Sequence, residues 1–304
     1  MLPRNADIAE VPCEGGVVRL NHLGQVVFPD AGLTKRDLLQ YYADIAPLLL
    51  PHVADRPLLA ARRPDGASGA PRRLPASRPS WLPACEVARR AGRFVALPMA
   101  QDVATLLWLV NVGCIEIDAW AARCDDVDHP DTLHFALEPV PPATFVHACE
   151  AALYLHEGLD RLGMRSHAKT SGGQGLHVAV PIATGPRYKQ VWEVGRAIAH
   201  AVERANPRLI TADVRPDHRR HGRVLLDYDQ NIRGRALAAV YSVRATPQAT
   251  VSTPLRWSEL EGTVDPEEFR LDTVVARVHA LGDLWRPFLA PHGRSRLGSL
   301  RSGR

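Results

Sequence analysis

The chain has 304 residues, of which 46% are hydrophobic and 23% charged, so it can bury a sizeable core and disorder is not its default state. No apolar run approaches bilayer length, and residues 1–14 lack the charged-then-apolar pattern of a signal peptide, which excludes a membrane-spanning or exported reading and predicts a cytoplasmic protein. The formal charge of +4 equals the four arginines of the last stretch (Arg294, Arg296, Arg301 and Arg304), so net charge alone argues for no particular partner.

Taken in chain order, Thr34 followed by Asp37 predicts a capping box opening a helix whose apolar face is Leu38, Tyr41, Tyr42 and Ile45. Residues 64–84 lose periodicity and are rich in proline and arginine, which predicts a long loop. Asp102 predicts the cap of a second helix ending at Gly113. Strands are expected at 115–120 and 133–137, then a helix over 143–162 and a strand at 165–169. A second strand at 176–182 and a helix over 188–204 follow, with short β segments in LITADV, GRVLLDY and ALAAVYSV and a last helix over 266–281. The pattern predicts an α/β (α+β) fold: mixed β-sheets flanked by helices in one unit. Residues 1–14 are expected as an extension, 15–290 as the folded domain and 291–304 as a basic disordered tail.

The five cysteines (13, 85, 114, 124 and 149) form no C-x-x-C pair. Free thiols in a reducing compartment are therefore expected, without a disulfide framework or structural zinc.

Charge is unevenly distributed. Residues 204–244 carry nine arginines against four aspartates, whereas 116–138 carry seven acids against one arginine. A phosphate-binding, metal-using site would show such a contrast; so would internal ion pairing.

The turn from Lys169 to His177, KTSGGQGLH, places Ser171, Gly172, Gly173, Gln174 and Gly175 between two β runs. It reads either as a plain glycine hairpin or as an anion-binding concavity to which the Ser171 hydroxyl and His177 contribute; it is not a Walker A loop. In the strand LHFALEP, period-two alternation puts His134, Ala136 and Glu138 on one face. Two carboxylates at i and i+2 on such a face could hold two divalent ions for phosphoryl transfer, but residue 136 offers a methyl group. Asp227 interrupts an apolar strand and is expected to be exposed in a cleft, paired with arginine or bound to metal.

Together these blocks resemble the polymerase domain of bacterial ligase D, a primase-polymerase of non-homologous end joining in the archaeo-eukaryotic primase superfamily. The resemblance runs from about His22 to Leu260 through VVFPDAGLTKRDLLQYYADIAPLLLPHV, RPLLAARRPDG, RPSW, TLLWLVNVGCIEI, DDVDHPDTLHFALEP, KTSGGQGLHVAVP, GRVLLDYDQN and YSVRATPQATVSTPLRWSEL. It implies the primase-polymerase fold, binding of DNA ends, and addition of NTP or dNTP with Mn2+ or Mg2+. By the same resemblance, Lys35 grips the 5′-phosphate of a DNA end. Ser171, Gly172, Gly173, Gln174, His177, Arg220 and Arg244 hold the nucleotide, and Glu138 and Asp227 are metal-binding catalytic residues, with His134 a further candidate ligand. The implied partners are an end-binding ring protein and a separate DNA ligase at the nucleoid.

Several positions depart from the family's pattern. F-D-L-D-P is here Phe135-Ala136-Leu137-Glu138-Pro139, and the lysine of S-G-G-K-G is Gln174. A histidine after I-E-L is Asp118, the first 5′-phosphate lysine is Gln25, and no aromatic pair lies near Gly69–Pro71. The expectation is a stand-alone relative with nucleotidyl transfer weakened or lost; the alternative is an active manganese-dependent primase-polymerase using Glu138 and Asp227.

Overall fold

The computed structural model describes residues 2–3, 6–13, 16–62, 78–88, 92–215 and 221–298. Most of the predicted 64–84 loop, the Gly69–Pro71 segment and Arg220 fall outside them.

The chain begins with β1 (Ala9–Cys13), β2 (Gly16–Leu20), β3 (Val26–Phe28), β4 (Leu33–Thr34) and α1 (Lys35–Val53). It continues with β5 (Leu58–Arg62), β6 (Ala84–Ala88), β7 (Phe94–Pro98), α2 (Val103–Asn111), β8 (Cys114–Trp120) and β9 (Thr132–Pro139). Next come α3 (Phe145–Arg161), β10 (His167–Thr170), β11 (Leu176–Pro181), α4 (Tyr188–Ala205), β12 (Ile210–Thr211) and β13 (Val224–Asp227). The last elements are β14 (Ala236–Ala238), β15 (Pro254–Leu255), α5 (Trp257–Leu260) and α6 (Val274–Leu281). The predicted helix at 266–281 is thus a short 3-10 turn at Pro266–Glu268 followed by α6.

The single unit expected from sequence is two. The first comprises Met1–Asp125, Ala236–Ser252 and Glu267–Gly282; the second comprises Asp126–Arg235, Thr253–Pro266 and Asp283–Arg304. The chain alternates between them, which is why no linker is visible in the sequence.

In the first unit the Thr34 hydroxyl accepts from the Asp37 N–H while the Asp37 carboxylate accepts from the Thr34 N–H, closing the predicted capping box of α1. The buried face of α1 includes Leu38, Tyr41, Tyr42 and Ile45. Tyr42 is fully buried, and its hydroxyl donates to the Ile115 carbonyl and accepts from the Val243 N–H, which meets the cost of burying a phenol. The stretch expected as an extension contributes β1, which pairs antiparallel with β2 from Ala9–Leu20 to Cys13–Gly16. Strands β14, β8 and β5 form a three-stranded sheet.

The expectation of unpaired cysteines is corrected here: Cys85 in β6 and Cys124 beyond β8 form a disulfide. Their Cα atoms lie 5.7 Å apart although 39 positions separate them in sequence, a proximity that local spacing cannot reveal. Cys149 is a free, buried thiol, and Cys114 is also buried.

The second unit is built on a six-stranded sheet of order β12-β13-β9-β11-β10-β15, in which β12 and β13 are parallel and the remaining pairs antiparallel. Helices α3 and α4 pack against β9 and each other. Asn231 pins the end of β13 to β9: its amide oxygen accepts from the His134 N–H, and its nitrogen donates to the carbonyls of His134 and Tyr228. The start of the expected tail is held in this unit. Arg294 donates to the carbonyls of Asp131 and Ile182, Ser295 bridges to Ile182, and Leu297 is buried.

His167, the first residue of β10, packs against the rings of Trp285 and Phe288. Burial, reinforced by the charges of Arg165 and His156, pulls its pKa down to about 4. The fold therefore favours the neutral ring: this contribution is complete above the unfolded value near 6.5 and is lost as pH falls toward about 4. Chemical denaturation between pH 7 and pH 4 is expected to show up to about 3 kcal/mol of acid destabilisation that His167→Phe removes.

Candidate functional site

Sheet register decides where the predicted residues stand. Asp227 in β13 is directly opposite Ala136 in β9; Ala136 is opposite His177 in β11; His177 is opposite Lys169 in β10. Directly opposed residues of antiparallel strands share a face, so Asp227, Ala136, His177 and Lys169 form one row across four strands. His134 and Glu138 lie two positions to either side of Ala136 and share that face.

The row mixes charges and a gap. Ala136 is 2% exposed, so its methyl group is enclosed rather than facing open water. The two Asp227 carboxylate oxygens accept from the Asp229 N–H and from Gln230 Nε2, each at 2.7 Å. Burial raises the Asp227 carboxyl above the usual carboxylate range, against the opposing effect of those hydrogen bonds. Glu138 is exposed and His134 half-buried. Among the described residues no three His, Cys, Asp or Glu side chains come together as a group that could hold a metal ion.

The KTSGGQG turn is braced internally. Ser171 N–H donates to the Gly175 carbonyl, while the Ser171 hydroxyl oxygen accepts from the N–H groups of Gly173 and Gly175 at 3.1 and 3.3 Å. Those three N–H groups are therefore occupied within the turn, and these bonds leave the Ser171 hydroxyl proton available to donate. Gly172 has φ +77°, the left-handed region that suits glycine. A Cβ on Gly175 would run into the Leu137 carbonyl oxygen. Gln174, at the tip, is exposed.

Lys35 and Arg244 belong to the first unit. Lys35 is buried, donates from Nζ to Asn21 Oδ1 at 3.2 Å, and lines a cleft of about 450 Å3 with Asn21, Gln25, Asn111 and Thr246. Burial lowers its pKa, partly offset by the charge of Asp7. The Arg244 guanidinium bonds Asp118 at 2.9 Å and lies 3.5 Å from Glu116, whose carboxylate also accepts from the Ala245 N–H. Within the second unit Arg233 pairs with Asp128. Some of the sequence's charge contrast is thus internal pairing.

The LigD primase-polymerase domain matches residues 34–285. The chain belongs to the LigD primase-polymerase family. It is 32% identical over 277 residues to the multifunctional non-homologous end joining protein LigD of Mycolicibacterium smegmatis, covering 89% of this chain and 36% of that protein. It is 28% identical to the bifunctional non-homologous end joining protein LigD of Bacillus subtilis, covering 87% of this chain and 43% of the relative. A solved structure, the polymerase domain from Mycobacterium tuberculosis Ligase D in complex with DNA, matches with a TM-score of 0.82 and 27% identity, covering 90% of this chain and 98% of that one. The chain therefore spans about a third to two-fifths of the curated relatives' length. Among the described residues no helix is long and apolar enough to cross a membrane.

Two contributors escaped the sequence reading. Asn231 was invisible because its partner in β9, His134, lies 97 positions away. Lys169 was legible in principle: a hairpin turn closing Thr170 onto Leu176 must set Lys169 against His177.

Proposed function

We propose that this LigD-type primase-polymerase domain binds DNA ends and nucleotides in end-joining repair while its nucleotidyl transfer is weak or lost. The single observation that carries the reading is the enclosed methyl group of Ala136 between Asp227 and His177, where a second carboxylate would be needed to bridge two divalent cations. The donors present do not fit a two-ion Mn2+ or Mg2+ centre, so no catalytic step is assigned to one. What the chain's own residues supply is binding: the Ser171 hydroxyl and the His177 ring for phosphate oxygens of an NTP or dNTP, Arg244 as a cation, and the Lys35 cleft for a DNA 5′-phosphate. The family's solved member in complex with DNA supports DNA as the partner class. An end-binding ring protein and a separate ligase at the nucleoid are further partners under this reading.

Primer extension in manganese, run beside equilibrium binding of ATP and of a 5′-phosphorylated DNA end, tests the proposal. Binding without extension is the expected result; robust incorporation by the parent chain would overturn it.

The single-ion reading is favoured by Glu138, which is exposed on the same face as Asp227 two positions from the gap. One Mn2+ held by Glu138 and Asp227, with His134 assisting, would be revealed by manganese binding that Asp227→Asn abolishes.

The Asp118–Arg244 pair makes its own prediction. Anion binding at Arg244 competes with Asp118, and removing one partly exposed negative charge changes an ion-pair energy by about 1 kcal/mol. Asp118→Asn is expected to tighten ATP binding about fivefold, measured by equilibrium titration.

A further inference from the structure

We propose that Lys169 is a positioning residue: it fixes the His177 ring as its Nε2–H tautomer, so that the imidazole serves as a neutral N–H donor. This use of the ring rests on the nucleotide-binding reading above, but the tautomer itself does not.

The two residues are cross-strand partners in the β10–β11 hairpin, with Lys169 Nζ 2.8 Å from His177 Nδ1. Both are buried, at 4% and 7% exposure. A lysine ammonium carries three donors and no acceptor, so a ring nitrogen bonded to it must offer a lone pair. With Nδ1 accepting, the one proton of a neutral imidazole resides on Nε2. A doubly protonated ring would have no lone pair left for the ammonium.

The lysine's own strand is held from its far side. Lys169 and Ala168 are set against Pro254 and Leu255 of β15. Thr170 N–H donates to the Thr253 carbonyl, and Thr253 N–H donates to the Thr170 hydroxyl oxygen. These bonds fix the register of β10, and a fixed register delivers the ammonium to the ring. On its other side His177 faces the methyl group of Ala136 in the row. The inference therefore stands on register, distance and the donor inventory of an ammonium group.

Histidine tautomers are distinguished by long-range 1H–15N correlation on the full chain labelled with 15N-histidine, His177→Gln assigning the signal. The expected wild-type pattern is a protonated Nε2 beside an unprotonated Nδ1. A protonated Nδ1, in either a neutral or a doubly protonated ring, would overturn the proposal, and the tautomer itself is read on the wild-type chain, the variant serving only for assignment. Lys169→Met, which keeps an unbranched apolar stem but donates nothing, is expected to give a mixture of tautomers and to weaken ATP binding about five- to tenfold. Lys169→Gln, whose amide still donates to Nδ1, is expected to restore the Nε2–H form and most of the affinity. If Lys169→Met left both tautomer and affinity unchanged, the lysine would have no positioning role. A wild-type ring in the Nε2–H form on a chain that binds no ATP would uphold the tautomer and overturn the nucleotide reading instead.

Discussion

The double variant Ala136→Asp/Glu138→Asp is expected to raise manganese-dependent primer extension by at least about two orders of magnitude over the parent chain. The reason lies in register. Residue 136 is already opposite Asp227, and residue 138 already shares its face, so the strands present the positions from which two carboxylates and Asp227 could converge. What the parent lacks is a negatively charged oxygen at residue 136. The substitution has a cost that provides a second readout. A carboxylate at an enclosed position loses hydration, so the metal-free variant should be less stable than the parent, and manganese should reverse the loss by neutralising it. A manganese-dependent rise in melting temperature, present in the variant and small in the parent, would accompany the activity. If neither extension nor the thermal shift appeared, the remaining ligand geometry would have decayed as well. Adding Gln174→Lys should then change little, because a phosphate-binding charge cannot replace a bridging ligand.

Gly175→Ala is expected to destabilise the second unit by about 3 kcal/mol, with a thermal midpoint lower by about 5–10 °C. The added methyl group would strike the Leu137 carbonyl oxygen, a backbone atom of β9 that cannot swing aside as a flexible side chain can. Relief requires β11 and β9 to part at the point where the row containing Ala136 and His177 crosses them. It also costs the hydrogen bond from Gly175 N–H to the Ser171 hydroxyl. ATP binding should therefore fall together with stability. Gly172→Ala strains a left-handed φ, which should cost about 1 kcal/mol. Denaturant unfolding of the two variants separates backbone collision from backbone strain.

Local patterns made much of this legible. Capping residues and apolar periodicity located the starts of α1 and α2 to within a residue, because those signals are contained in the element itself. The period-two reading of LHFALEP placed Ala136 and Glu138 on one face, and the fold puts Asp227 beside them. Three features resisted: the Asn231 bridge, the Cys85–Cys124 bond and the Asp118–Arg244 pair all join residues from 39 to 126 positions apart. Pairwise contacts across such distances leave no trace in composition or spacing. The division into two units was hidden for a related reason, since each is assembled from separated stretches of chain.

That interleaving governs how the protein must be made. The first unit cannot be completed when Asp125 leaves the ribosome, because the strand at Ala236–Ala238 and the helix at Val274–Leu281 are still to come. At synthesis rates of about 5–20 residues per second, its early portion waits roughly 10–30 s for its missing edge. Throughout that interval the growing polypeptide exposes an unfinished sheet, the circumstance in which a chaperone's temporary shelter matters most.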